Sequence, residues 1–415
     1  MQQFDEREGH SELRRPDEAS SVGVSSVGAI DGPVRLVTRR LMILLAALSA
    51  LGSLAIQTFV PALPAAARDL DVVPGSMQMA ISLYLAGLAV GQLIGGWSSD
   101  LFGRRPVMLA GAILYMLGSF ACVLAAVLPL FLAGRIVQAV GGAFLLSVGR
   151  TIIADLSNGP ETGRRMAVLG MISLLSPTFA PLLGSVVADL AGWRAIMWLL
   201  AAFGLIGLVG TAAAVPESRR AATGVAVDPF HGFRRLLARW AFWRFSLAVM
   251  ATSTGIFGFY AASSFVLIDI QGLSGTQSGI AYLLMAGAAT FGAFRATRTR
   301  RDPMRTGSIL YGCGAAILIV ATTLSHSAVA LILPMMIVSV GTGMVTPAAL
   351  AGALRTDPAH AGSASSLIGA FQMAAAAIAT TTIAALFRPS VSTAVLPIVG
   401  TGAVLLVLLF ARRNP

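Results

Sequence analysis

Charge is what this 415-residue chain has least of, with only 11% Asp, Glu, Lys and Arg, against about a quarter in a soluble globular domain. So few charges cannot cover a water-facing surface. A content of 56% hydrophobic residues and a mean hydropathy of +0.82 can cover a lipid-facing one. Lysine is absent, and all 29 basic residues are Arg. A phosphate-cradling G-x-x-x-x-G-K-[ST] loop is therefore impossible, which excludes ATP-driven work within this chain. Cysteine is scarce, and Cys122 and Cys313 both lie in apolar runs, where they read as packing residues with no disulfide framework. No His/Cys/Asp cluster suggests a metal and no Ser/His/Asp arrangement stands out, so neither a cofactor nor an enzymatic function is expected. No cleavable signal peptide is expected either. The first 40 residues are polar, carry Asp5, Glu6, Glu8, Glu12, Asp17 and Glu18, and read as a disordered tail (1–40). Met42, at the head of the first apolar run, is an alternative start.

What is present is a series of apolar runs, each near the roughly 20 residues that cross a ~30 Å hydrocarbon core. Six occupy 41–63, 77–98, 106–127, 129–153, 167–190 and 194–215; six more occupy 242–268, 277–296, 305–324, 328–350, 363–387 and 392–411. The expected fold is all-α and membrane-embedded: twelve spans in two six-helix bundles, 41–215 and 242–415, joined by a polar linker at 216–241. The net charge of +11 invites a nucleic-acid reading, but the arginines sit in alternate connections, which is the positive-inside pattern. Arg39 and Arg40, Arg104 and Arg105, Arg164 and Arg165, the linker arginines Arg219, Arg220, Arg234, Arg235 and Arg239, then Arg295, Arg298, Arg300, Arg301, Arg305, Arg412 and Arg413 fall on one side. The other side carries Arg68, Arg194 and Arg388 singly. The expectation is a multi-pass inner-membrane protein with both termini cytoplasmic, a small-molecule substrate, the bilayer as its environment and no nucleic acid. Two halves of parallel topology are typical of transporters that rock about a central site. Pro177 and Pro181 in span five, and Pro334 and Pro347 in span ten, place helix breakers inside spans, where neighbours can satisfy the freed carbonyls.

Three motifs carry further content. Between spans two and three runs Gly96-Trp97-Ser98-Ser99-Asp100-Leu101-Phe102-Gly103-Arg104-Arg105. Gly96 is expected to allow close helix approach, Gly103 a tight turn, and Asp100 a pairing with a nearby Arg or with a helix N-terminus. In span four, Arg135 and Gln138 of Arg135-Ile136-Val137-Gln138 are three residues apart and share a face. A charge at such depth faces a cavity or a partner. Span five contains Ser176-Pro177-Thr178-Phe179-Ala180-Pro181-Leu182-Leu183-Gly184.

These stretches resemble, in order, the G-x-L-x-D-R-x-G-R-R loop, the R-x-x-Q-G-x-G span and the antiporter signature of the major facilitator superfamily, and together its Bcr/CflA-type multidrug transporters. The resemblance runs from about Ala47 to Glu217 and is looser beyond. It implies proton-driven export of small amphipathic compounds by a monomer, with Asp100, Gly103, Arg104, Arg105, Arg135, Pro177, Pro181 and Gly184 in gating and coupling. One departure matters. Where most of that group has D-x-Y-x-P in span one, this chain has Gln57, Phe59 and Pro61, as an EmrD-like branch also does. Among the acids, Asp100, Asp155, Asp189 and Asp269 fall near span ends and none at a midplane. Proton coupling thus rests on the resemblance. For a pocket of few charges, adaptable aromatic and Met faces are the lining expected: Gln57, Phe59, Tyr84, Gln138, Phe259, Tyr260, Phe265, Gln372 and Met373. The rival expectation is an exporter or facilitator of an amino acid, sugar or nucleoside on the same fold, without strict proton coupling.

Overall fold

The computed structural model describes residues 38–156, 178–218, 231–299, 301–325, 327–357 and 361–410. The expected disordered tail to residue 37, Pro177, Arg164, Arg165, Arg219, Arg220, Arg300, Arg412 and Arg413 lie outside the described residues.

Among the described residues the regular structure is helical throughout. α1 (Arg39–Phe59) starts where the Thr38 hydroxyl accepts from the Leu41 amide. Pro61 and Pro64 lack the amide a continuous ladder needs, so the chain passes through a tighter turn at Val60–Ala62 into the short α2 (Leu63–Asp69). α3 (Pro74–Phe102) has Pro in its first turn and stops at Gly103, whose φ of +99° only glycine adopts without strain. α4 (Arg104–Leu124) follows at once, then α5 (Leu128–Asp155), the described part of α6 (Thr178–Ala191), and α7 (Trp193–Ala214). A short α8 (His231–Leu237) lies within the expected linker and leads to α9 (Trp240–Phe265), which widens into a π-type turn at Val266–Ile270. α10 (Gly275–Arg298), α11 (Pro303–Leu324), α12 (Ala328–Leu354), α13 (Ala361–Leu386) and α14 (Val391–Phe410) complete the chain. Among the described residues eleven stretches are long and apolar enough to cross a membrane, and α6 adds a shorter apolar helix.

Each half packs the same way. α4 crosses α5 where a Cβ on Gly111 would lie 2.7 Å from the Phe144 Cβ and one on Gly141 would lie 2.6 Å from the Gly111 carbonyl. α11 crosses α12 where a Cβ on Gly307 would lie 2.7 Å from the Met344 Cβ and one on Gly341 would lie 2.7 Å from the Gly307 carbonyl. Small residues let membrane helices reach backbone contact, which replaces the hydrophobic drive that lipid abolishes. The repeated pairs align Tyr115 with Tyr311, and both rings are buried.

Two expectations need correction. A Cβ on Gly96 would meet nothing within 4 Å, whereas one on Gly95 would lie 2.7 Å from Ser147 Oγ. Successive residues on a helix differ by about 100°, so only one of the pair faces α5. Cys122 is buried, but Cys313 is exposed on α11, among lipid-facing positions such as Ile309 and Ile317.

Candidate functional site

Arg135 is the largest fully buried side chain of the described residues, on α5 inside the first half. Its Nη1 donates to Gln138 Oε1 at 2.6 Å and to the Ala55 carbonyl at 3.3 Å. Gln138 Nε2 passes the chain to Ser119 Oγ at 2.7 Å, which donates to the Tyr115 carbonyl at 2.7 Å. The guanidinium carbon lies 4.0 Å from the Tyr84 ring centre and 5.2 Å from that of Phe59. Tyr84 is fixed in turn by its hydroxyl, which donates to the Gly52 carbonyl at 2.9 Å. Two aromatic faces each contribute up to about 2 kcal/mol to a desolvated cation, less than the several kcal/mol that burying it costs. Arg135 Nε and Nη2 have no hydrogen-bond partner among the described residues, and no carboxylate there pairs with it. The repeat shows that the fold does not require this group. In the second half the positions matching Ser119, Arg135 and Gln138 are Ala315, Met335 and Val338, all buried.

At the arginine-rich end, Arg104 Nη1 lies 2.6 Å from Asp100 and its Nε 3.1 Å from Asp155. Its Nη1 also donates to the Ser99 carbonyl at 2.7 Å. Glu217 accepts from the Arg104 and Arg105 amides at 2.9 and 3.2 Å and so caps α4. Arg105 reaches the Ala212 carbonyl at 2.6 Å. A Cβ on Gly103 would lie 2.6 Å from the Glu217 carboxylate, so the loop needs glycine for space as well as for φ. Every one of these contacts stays within the first half. Near the same end of the second half, buried Asp357 pairs with Arg235 at 3.0 Å and Arg239 at 3.5 Å, and Asp302 caps α11 through the Met304 and Arg305 amides.

Two of the seams between the halves carry hydroxyl pairs. In the first, α3 meets α13, and Ser82 Oγ donates to Thr380 Oγ1 at 2.8 Å. In the second, α6 meets α10: Thr178 and Thr290 hydroxyls lie 3.0 Å apart, and Asp189 Oδ2 accepts from the Thr276 amide at 2.8 Å and hydroxyl at 2.6 Å. That places a carboxylate on the N-terminal end of α10, where the helix dipole favours it. Further out, Arg68 on α2 pairs with Asp269 in the π-type turn at 2.8 Å, while neighbouring Asp69 pairs with Arg194. The Arg68–Asp269 pair and the Asp189 cap on α10 thus tie the halves at the end opposite the arginine-rich one.

The remaining expected residues are dispersed. Gln57 is buried at the end of α1, where its Oε1 has no hydrogen-bond partner among the described residues, and Tyr260 is buried on α9. Phe59 and Tyr84 lie against Arg135, and Phe59 also packs against Phe131 and Trp193. Phe259 and Phe265 are buried on α9, and Gln372 and Met373 are half-buried on α13. Pro181 is buried, and a Cβ on Gly184 would collide with the Thr58 carbonyl, which brings α6 against α1. Sequence reading missed Glu217, Arg68, Asp357 and the hydroxyl pairs. Glu217 carried a usable signal, an acid where α7 ends opposite a basic helix start. The hydroxyl pairs carried none, since Ser and Thr are frequent in every span.

The family model described as Major Facilitator Superfamily matches residues 43–380. Multidrug resistance protein D of Escherichia coli (strain K12) is 28% identical over 339 residues, covering 80% of this chain and 85% of that protein. Multidrug resistance protein MdtL of Escherichia coli (strain K12) is 28% identical over 323 residues, covering 77% of this chain and 81% of that protein. Among solved structures, a D-xylose-proton symporter superposes with a TM-score of 0.70 at 16% identity, covering 91% of this chain and 98% of that one. A bacterial homologue of the human lysosomal transporter Spinster superposes with a TM-score of 0.66 at 16% identity, covering 89% and 94%. At such identity these two structures speak for the fold alone.

Proposed function

Because this chain belongs to the Major Facilitator Superfamily, we propose that it exports small amphipathic compounds in exchange for protons, by alternating access between its halves. The observation that carries this reading is the buried Arg135–Gln138 network, a charge kept in the first half where the second half does without one. The names of the relatives from Escherichia coli support the substrate class. The distribution of arginines supports a cytoplasmic placement of the arginine-rich face and of both termini. The Arg68–Asp269 and Thr276–Asp189 ties at the opposite end support a conformation closed to the outside. Asp100 and Asp155 each bond Arg104 in the first half. Asp189 and Asp269 bond across halves, so protonating either removes a tie. We assign the proton-responsive role to these two.

The test is purified protein in liposomes holding a pH-sensitive dye, with an imposed gradient and a panel of lipophilic cations, neutral drugs and amino acids. Substrate-dependent proton flux is expected, and Asp189→Asn or Asp269→Asn uncouples it. Substrate movement with no proton flux overturns antiport. A second reading, facilitated export of a metabolite, is favoured by one observation: among the described residues no carboxylate pairs with Arg135.

A further inference from the structure

The lipid-facing side of the second half carries a feature that neither export nor coupling uses. Leu283, Leu284, Gly287, Ala288 and Phe291 of α10 and Met336, Ile337 and Val340 of α12 line an apolar groove of about 580 Å³. It is open where α10 lacks a side chain: a Cβ on Gly287 would meet nothing within 4 Å. Leu284, Ala288, Phe291, Arg295 and Arg298 recur at helical spacing, so they form one stripe running from the groove to the end of the helix. Leu284, Phe291, Arg295 and Arg298 are all exposed. Neither arginine forms an ion pair among the described residues, and Arg298 rests on the Phe294 ring at 4.1 Å. From Leu284 to Arg295 the helix rises about 16 Å at 1.5 Å per residue, close to the roughly 15 Å of one leaflet's hydrocarbon.

We propose that this groove seats an acyl chain of an anionic phospholipid whose phosphate rests on Arg295 and Arg298. The chain fills apolar space that helix packing leaves open, and the two guanidinium groups meet the phosphate at headgroup depth. Basic pockets at the ends of membrane helices recognise anionic headgroups in this way. The internal repeat supplies the control. Gly91 in α3 and Gly292 in α10 face Val140 and Val340 in the same manner, which aligns Arg295 and Arg298 with Ile94 and Trp97. The fold therefore does not demand arginine there, and the basic pair has no counterpart at the matching positions of the first half.

The experiment is native mass spectrometry of the full-length protein titrated with dioleoyl phosphatidylglycerol or dioleoyl phosphatidylcholine, reading the dissociation constant of the first bound lipid. The anionic lipid binds more tightly to the unaltered protein. Arg295→Gln/Arg298→Gln weakens it by about 30-fold, about fivefold for each arginine near the surface, and leaves phosphatidylcholine unchanged, which also shows that the variant is folded. Gly287→Leu fills the groove and weakens the anionic lipid without altering charge. Arg39→Gln/Arg40→Gln, the same charge change elsewhere, has less than about a twofold effect. Equal binding of the two lipids, indifference to the paired arginine change, or an unaffected Gly287→Leu variant each overturns the site. The last of these would mean surface charge attraction alone.

Discussion

The repeat offers a direct way to separate the mechanical and chemical roles of the buried arginine: give the first half the core of the second. The variant is Arg135→Met with Gln138→Val. In the native protein Arg135 brings two donors, Nε and Nη2, that find no partner among the described residues, each of which costs about 1–3 kcal/mol when buried. It returns two hydrogen bonds and two ring contacts. Replacing buried charges by apolar residues of similar volume is neutral or stabilising by about 1–4 kcal/mol, and Met and Val already fill the equivalent space in the second half. One loose end remains, because Ser119 loses Gln138 as a donor but keeps its own bond to the Tyr115 carbonyl. The expected net change in stability is therefore between zero and about 3 kcal/mol in favour of the variant. Unfolding in a denaturing-detergent titration and abundance in membranes read this term, and coupled flux in liposomes reads the other. The expected result is a stable, abundant and inactive protein. Retained coupled transport would refute the functional role of Arg135, and a loss of more than about 3 kcal/mol would show that the charge holds the half together. Arg135→Met alone strands Gln138 Oε1 and is expected to be less stable than the pair.

Asp100→Asn removes an exposed ion pair worth no more than about 1 kcal/mol, while Arg104 keeps Asp155, so membrane abundance is expected to hold as transport falls. Full transport would remove Asp100 from gating. Gly103→Ala meets both a positive φ with an extended ψ that is essentially glycine's own and the Glu217 carboxylate, and a loss of about 1–3 kcal/mol is expected from the backbone term alone, read as reduced thermal stability. Arg68→Ala with Asp269→Asn cuts an ionic tie between halves. Ser278 is buried in the first turn of α10, and Ser278→Cys in that variant, in a background of Cys122→Ala and Cys313→Ser, is expected to react faster with an impermeant maleimide added outside. An unchanged rate would show that this pair does not hold the halves closed.

The spans were legible because crossing lipid demands a long apolar run, a requirement that leaves its mark on every residue of the run. Their described ends lie within a few residues of the expected ones, and Gly103, expected as a tight turn, is where α3 stops. Arg135 and Gln138 could be paired from spacing alone, because three residues along a helix is a contact. The seams were not legible. Asp189 meets Thr276, and Ser82 meets Thr380, through distances in the chain that no periodicity encodes. Gly95 and Gly96 show the finer limit: a glycine pair announces a close approach, but which member makes it depends on where the neighbouring helix lies.

The glycine crossings also set where the molecule can yield. Inside each half, α4 rests on α5 and α11 on α12 backbone to backbone, with no flexible side chain between them to absorb a displacement. The seams have close glycine approaches of their own, Gly75 on the Ala384 carbonyl and Gly279 on Ser185 and Leu182, and add hydroxyl pairs and exposed carboxylates, where polar contacts in membranes average about 0.6 kcal/mol each. Two stiff bodies joined by a compliant joint deform at the joint. A load applied anywhere in a half, whether from a bound solute or a lateral squeeze by the bilayer, is transmitted with little loss to the seams. A few broken contacts there cost only a few kcal/mol, which thermal motion supplies on the microsecond-to-millisecond scale of collective domain movement.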